Sequence, residues 1–279
     1  MEIKLPKEND IRLAEFVGNI LGDGHLGIYK YEVSITGNKL QDISNMKFLS
    51  DTIYDLFGIV PSIYLHKRNN VIRCKFYSKT VQDFLKTNFK ISIGNRVKER
   101  IEIPSNYFYN KKLLSACLRG IFDTDGCICR HRKKDPMIEL DSNNPYLRDS
   151  IVKALNGLDI RCTFSGRKVY VYSKSEIGKF FKIIGSRNEK NLFKYNTWVK
   201  TGIILKSNMI INKNEKIIKK LVSNKNTKEW VRFDPECFFK YIKTSNYLVS
   251  ADSLVVGPQT VLSKDTIVGK PSKPTEVSC

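Results

Sequence analysis

The sequence has no apolar run approaching the roughly 20 residues that a membrane-spanning helix requires. Its first ten residues, MEIKLPKEND, are charged and lack the apolar core of a secretory signal. The expectation is an intracellular protein, cytoplasmic or organellar, with no membrane partner. Acidic residues are scarce beside basic ones: 28 Asp and Glu stand against 48 Lys and Arg, a formal charge of +20. That excess says nothing of fold, but its field attracts polyanions and speeds their capture. The basic residues are spread along the chain rather than gathered on one amphipathic helix, which favours nucleic acid over a membrane surface. The seven cysteines (74, 117, 127, 129, 162, 237 and 279) include no C-x-x-C pair, and the single residue between Cys127 and Cys129 is poor zinc spacing. Free thiols are expected. Hydrophobic residues make up 41% of 279 residues, enough for one large or two moderate cores and against wholesale disorder.

The chain repeats itself. Residues 10–24, DIRLAEFVGNILGDG, and residues 112–126, KLLSACLRGIFDTDG, return apolar residues every three or four positions, the period of a helix. In the first these are Leu13, Phe16, Val17, Ile20 and Leu21; in the second they are Leu114, Cys117, Leu118, Ile121 and Phe122. Both segments end in Asp-Gly, so a glycine is expected to leave each helix in the left-handed conformation. A second stripe carries almost no side chain. Ala14, Gly18 and Gly22 lie at i, i+4 and i+8, and Ala116, Gly120 and Thr124 repeat them at an offset of 102. Residues four apart share a helix face, and a helical glycine costs about 1 kcal/mol relative to alanine. The stripe therefore implies two helices whose backbones approach closely. Two unrelated buried helices would not explain the same stripe and the same ending twice.

The similarity continues downstream. A basic, strand-like stretch follows each helix, then a helix ending LFGI at Ile59 or LNGL at Leu158, then a hairpin-like segment ending in Tyr-Ser-Lys at Lys79 or Lys174. A short helix closes each copy near Gly94 and Gly185. This predicts an α+β fold: two copies of α-β-β-α-β-β-α, residues 1–105 and 106–204, about one pseudo-two-fold axis along the glycine helices. Antiparallel sheets can keep one face wet. Here that face would carry Lys30, Lys67, Arg68, Arg73, Lys75, Arg130, Arg132, Lys133, Lys134, Arg161, Arg167 and Lys168, with Tyr29, Tyr31, Tyr64 and Tyr170 among them. A charge run is usually just a solvated face. Basic clusters on four corresponding hairpins point instead to nucleic acid, and a two-stranded ribbon fits the DNA major groove.

If the helices pack in parallel, Asp23 and Asp125 sit side by side beneath the basic sheets. Two carboxylates so placed repel, and one takes up a proton unless something neutralises them. A hard divalent cation does so, and Mg²⁺ (or Mn²⁺) accepts oxygen ligands while keeping waters. The main-chain carbonyls of Gly22 and Thr124 are further candidate ligands. Metal ions held this way can activate water and stabilise the leaving oxygen of a phosphodiester. A single Asp-Gly is more simply a turn cap; two matched ones favour a shared site.

FVGNILGDG (16–24) and LRGIFDTDG (118–126) resemble the two motifs of a monomeric LAGLIDADG homing endonuclease, the first departing from the pattern at Asn19, Leu21 and Gly22. The resemblance covers about 200 residues. It implies a β-saddle over double-stranded DNA, metal-dependent cleavage of both strands at a long site, and Asp23 and Asp125 as the essential metal ligands. It also implies a lysine in each half near the metal-bound water, for which IGNRVKERIEIP offers Lys98 and IGSRNEKNLFKY offers Lys190. A polar residue ending the second strand of each half would be Gly37 or Asn38, and Ser142 or Asn143. The same scaffold resembles intron RNA-splicing maturases and non-catalytic DNA-binding regulators, so intron RNA is the alternative partner; aspartates in both motifs favour the nuclease. Residues 205–279 lie outside the repeat. Ile210, Ile211, Ile217, Ile218, Leu221 and Val222 suggest one more helix there, and WVRFDPECFFKYI is apolar enough to pack. The chain begins with Met and lacks His-Asn before Cys279, which favours a free-standing or intron-encoded protein over an intein.

Overall fold

A computed structural model describes residues 3–94, 99–131, 135–223, 229–242 and 247–249. Helix α1 (Ile11–Leu21) leads into β1 (Gly24–Leu26) and β2 (Glu32–Asn38), followed by α2 (Ile43–Phe57), β3 (Ser62–His66), β4 (Val71–Tyr77) and α3 (Lys79–Phe89). The second pass runs α4 (Lys111–Asp125), β5 (Gly126–Arg130), β6 (Pro136–Asp141), α5 (Pro145–Gly157), β7 (Thr163–Ser165), β8 (Lys168–Val171) and α6 (Lys174–Ile183). The order expected from the repeat thus appears twice. Corresponding helices begin on corresponding caps. Asp10 and Asn110 each accept two main-chain N–H groups at the starts of α1 and α4, and Ser78 and Ser173 each accept one at α3 and α6. Such caps satisfy donors that the first helical turn leaves without partners.

Each copy builds one antiparallel sheet, in the order β1-β2-β4-β3 and β5-β6-β8-β7. Alternation along β4 buries Ile72, Cys74 and Phe76 and turns Arg73, Lys75 and Tyr77 to the other face. The helices cover the buried faces, with α2 on β4, α5 on β8 and α6 on β6. Helix α7 (Glu189–Thr201) adds an element that the repeat pattern does not contain and packs on β5. Beyond it lie β9 (Ile210–Asn212), α8 (Glu215–Ser223), β10 (Trp230–Phe233), α9 (Pro235–Tyr241) and β11 (Tyr247–Val249). The single helix expected from Ile210 to Val222 is therefore two elements. Ile210 and Ile211 pair as a strand with β11, and a turn at Lys213 and Asn214 precedes α8.

Helices α1 and α4 meet in parallel through the small-residue stripe. A β-carbon on Gly18 would lie 2.0 Å from the Cys117 carbonyl oxygen, and one on Gly120 would lie 2.2 Å from that of Glu15. The backbones touch, as the spacing implied. The expected left-handed exits do not occur: neither Gly24 nor Gly126 has a positive φ, and Gly126 is extended at φ −114°. Glycine is required there for space. A β-carbon on Gly24 would lie 2.4 Å from the Ile20 Cα, and one on Gly126 would lie 2.6 Å from the Phe122 carbonyl oxygen, because each strand folds back against the helix it leaves.

These contacts set a measurable contrast. Gly18→Ala and Gly120→Ala should each lower stability by about 1–3 kcal/mol or more through overpacking. Gly178→Ala, inside α6 with nothing within 4 Å of its β-carbon position, should be neutral or stabilise by up to about 1 kcal/mol. Thermal unfolding checks the order; melting temperatures unchanged at all three positions would remove the close interface.

Candidate functional site

Parallel packing through Gly18 and Gly120 brings the two Asp-Gly ends together. A β-carbon on Gly22 would lie 2.1 Å from Thr124 Oγ1 and 3.1 Å from Asp125 Oδ2, so the end of α1 rests on the last turn of α4. Asp23 and Asp125 line one cleft of about 930 Å³, with Gly22, His25, Asp141 and Ser142 on its walls. Asp23 lies just beyond the end of α1, whereas Asp125 is the last residue of α4. Each helix C-terminus presents main-chain carbonyls and a partial negative charge. Two such ends and two carboxylates offer oxygen atoms, the donor type that a hard divalent cation accepts. Among the described residues no cluster of three or more His, Cys, Asp or Glu side chains forms a denser site. His25 and Asp141 were not singled out in the sequence, although His25 follows Asp23 by two residues.

A polar network beside the aspartates locks the two copies together. Glu15 of α1 is buried and accepts Arg119 of α4 at 2.7 Å and Arg187 at 3.3 Å. Asp123, also buried, accepts the Ser186 hydroxyl and the Arg187 main-chain N–H. Burial pushes its carboxyl up to about 7, against the opposing effect of those hydrogen bonds. Asn188 donates to Asp42 at the start of α2, and Lys190 pairs with the same carboxylate at 3.2 Å. Lys190, expected near a metal-bound water, is thus tied to Asp42. Lys98 lies outside the described residues. On the open side of β5, the bond from Cys129 lowers the Cys127 thiol to about 7 and raises its partner. Nearby Lys194 is buried, donates to the Ile128 carbonyl and Ser207, and is lowered by desolvation.

The expected basic residues divide into groups. Arg73 and Lys75 stand on the open face of the first sheet. Lys75 lies 4.4 Å from the centre of the Tyr64 ring and 3.3 Å from the Glu32 carboxylate. Lys30 and the pair Lys67 and Arg68 occupy the turns at the ends of these strands. On the second sheet Lys168 pairs with Glu139 at 2.6 Å and Arg167 with Asp141 at 2.9 Å, so basic charge there is offset internally. One expectation fails. Arg130 shares its strand side with buried Ile128 and donates to the Ile204 carbonyl at 3.3 Å, because α7 and the segment after it cover that side. Arg161, itself exposed, pairs with buried Glu176 in the first turn of α6. Arg132, Lys133 and Lys134 lie outside the described residues.

Residues 112–185 match the family model of a LAGLIDADG-like domain. A relative, the probable cell division protein WhiA of Thermoanaerobacter sp. (strain X514), is 26% identical over 198 residues, covering 66% of this chain and 61% of its own length. The chain thus spans less than two thirds of that relative. Full-length DUF199/WhiA from Thermatoga maritima is similar in structure at 15% identity and a TM-score of 0.45, covering 79% of this chain and 68% of that one. The homing endonuclease I-DmoI in complex with DNA and Mn is similar at 19% identity and a TM-score of 0.43, covering 63% and 98%. The architecture is the LAGLIDADG fold, α+β with antiparallel sheets. Among the described residues no helix is long and apolar enough to cross a membrane.

Asp123 makes stability depend on pH with a definite sign. Its folded value near 7 lies above the ordinary 3.8, so the folded protein holds a proton that the unfolded chain has released. Its contribution is full below about pH 4 and is lost as pH rises through about 7. Asp123→Asn removes this titration. The melting temperature of the wild type minus that of the variant should fall steadily from about pH 4 to above pH 7; a difference that rises instead would mean Asp123 is ionised in the fold.

Proposed function

We propose that the protein is a single-chain, metal-dependent endonuclease that cuts both strands of duplex DNA at a long, partly palindromic site. The observation that carries this is the convergence of Asp23 and Asp125, one from each copy, in a cleft beside two sheets with basic side chains. Residues 1–105 and 106–204 would each engage one half of the site, with 205–279 as an extension. Asp23 and Asp125, with the carbonyls of Gly22 and Thr124, would hold Mg²⁺ or Mn²⁺. When bound, such an ion activates water for attack and stabilises charge at the scissile phosphodiester. The chain's own residues bind and orient. Arg73, Lys75, Lys67 and Arg68 attract the phosphate backbone, whose neutralisation releases counterions. Base edges can be read only by side chains that reach into a groove.

A second reading has a specific observation behind it. The 26% match is to a protein named for cell division rather than for cleavage, and it favours a non-catalytic role on the same scaffold. An acid in both motif positions favours cleavage, since binding alone does not require two like charges at a shared floor.

Incubation of the chain with a plasmid library and Mg²⁺, followed by sequencing of cut ends, tests both. The wild type should produce a recurrent double-strand cut. Asp23→Asn or Asp125→Asn should slow cutting by about a hundredfold or more, as loss of several kcal/mol of transition-state stabilisation requires, while gel-shift affinity stays near that of the wild type. Sequence-selective binding without any cut would establish the non-catalytic reading, and near-normal cutting by either variant would remove the aspartates from the chemistry.

A further inference from the structure

The two sheets differ in width. Strand β10, from the segment after the repeats, pairs antiparallel with β3 and makes the first sheet five-stranded, in the order β1-β2-β4-β3-β10. Among the described residues the second sheet stops at four strands, with β7 at its edge. The register sets Trp230 opposite His66, Val231 opposite Leu65 and Arg232 opposite Tyr64. Val231 is buried, so its neighbours Trp230 and Arg232 share the open face with Tyr64, Arg73 and Lys75. The Arg73 guanidinium lies 4.8 Å from the centre of the Trp230 ring, and the His66 ring stands edge-on to it at 4.9 Å. Arg232 is exposed and donates to Ser62 at 3.0 Å.

Protection of a sheet edge requires only backbone pairing, so it does not explain this choice of side chains. An exposed guanidinium beside a tryptophan that carries a second guanidinium extends the face in charge and in stacking surface. Glu229, just before β10, is the acid at this edge, beside Arg68. We infer that β10 is an outer DNA-contacting strand. Arg232 and Trp230 meet duplex DNA beyond the reach of a four-stranded sheet, so the protected site is longer on the side of the first copy. Strands lie about 4.8 Å apart, which puts β10 roughly 19 Å from β1, against roughly 14 Å from β5 to β7. The extra strand spans about one to two base pairs at 3.4 Å each.

This inference rests on duplex DNA being the partner, and the experiment separates the two. The duplex selected by the full wild-type chain is shortened one base pair at a time from either end, and affinity is measured at several salt concentrations. Wild type should feel the loss about one to two base pairs farther out at one end than at the other. Arg232→Ala should abolish that difference, leave the other end unchanged, and reduce the salt dependence by about one log unit per log unit of salt. Trp230→Phe, which keeps a ring beneath Arg73, should retain more affinity than Trp230→Ala. Equal reach at both ends in the wild type, or an unaltered difference in Arg232→Ala, would overturn the role of β10. A wild type that selects no duplex would overturn the partner itself before any variant is made.

Discussion

Gly18 of α1 lies against the Cys117 carbonyl of α4, and Gly120 lies against the Glu15 carbonyl, so two helices meet backbone to backbone. Two helical glycines cost about 2 kcal/mol together. Around them Leu13, Phe16, Val17, Ile20, Leu118, Ile121 and Phe122 are wholly buried, each contributing about 1.5–3 kcal/mol. Packing outweighs the glycine penalty several-fold. Because the interface passes no side chain between the axes, the helices stay close to their last turn, and a residue one step beyond each glycine stripe is carried to the same place. Asp23 and Asp125 are those residues.

That convergence works against itself electrostatically. Like charges brought together repel, and two helix C-termini add partial charge of the same sign. Under the proposed function a bound cation would relieve that repulsion. The network one turn earlier limits the damage. Glu15 is matched by Arg119 and Arg187, and Asp123 is buried with its proton held to about pH 7. Those acids are thereby answered inside the fold, separately from the two cleft aspartates.

Much of this was legible in the sequence because it is local and repeated. The helical period, the stripe at i, i+4 and i+8, and the Asp-Gly endings each occur twice, and a feature seen twice at one offset is hard to attribute to chance. What escaped depends on contacts between distant segments. Arg130 alternates correctly for a strand, yet its side was decided by α7 and the Ile204 carbonyl, some 70 positions away. Arg161 is claimed by a carboxylate on α6. A left-handed exit is the local expectation for the glycines after the aspartates, whereas the strand's return onto the preceding turn demands the missing β-carbon. WVRFDPECFFKYI is marked by its sequence only as apolar enough to pack; the pairing of β10 carried no signal, since its partner β3 lies more than 160 residues upstream and no repeat announces it.

The two copies share a helix pair but have diverged on their open faces. The first sheet keeps Arg73 and Lys75 beside aromatic rings with one acid, Glu32, within reach. The second sets Glu139 and Asp141 against Lys168 and Arg167. Covalent linkage permits this, because only the α1–α4 contact has to stay self-complementary when both copies belong to one chain. Under the proposed function the difference has a chemical sense. Guanidinium and ammonium groups seek phosphates, which fix position without reading sequence. Carboxylates on the facing sheet repel phosphates but can accept a hydrogen bond from the cytosine amino group. On that reading a face with paired charges would give up affinity for discrimination, and the wider first face would supply the affinity that the second lacks.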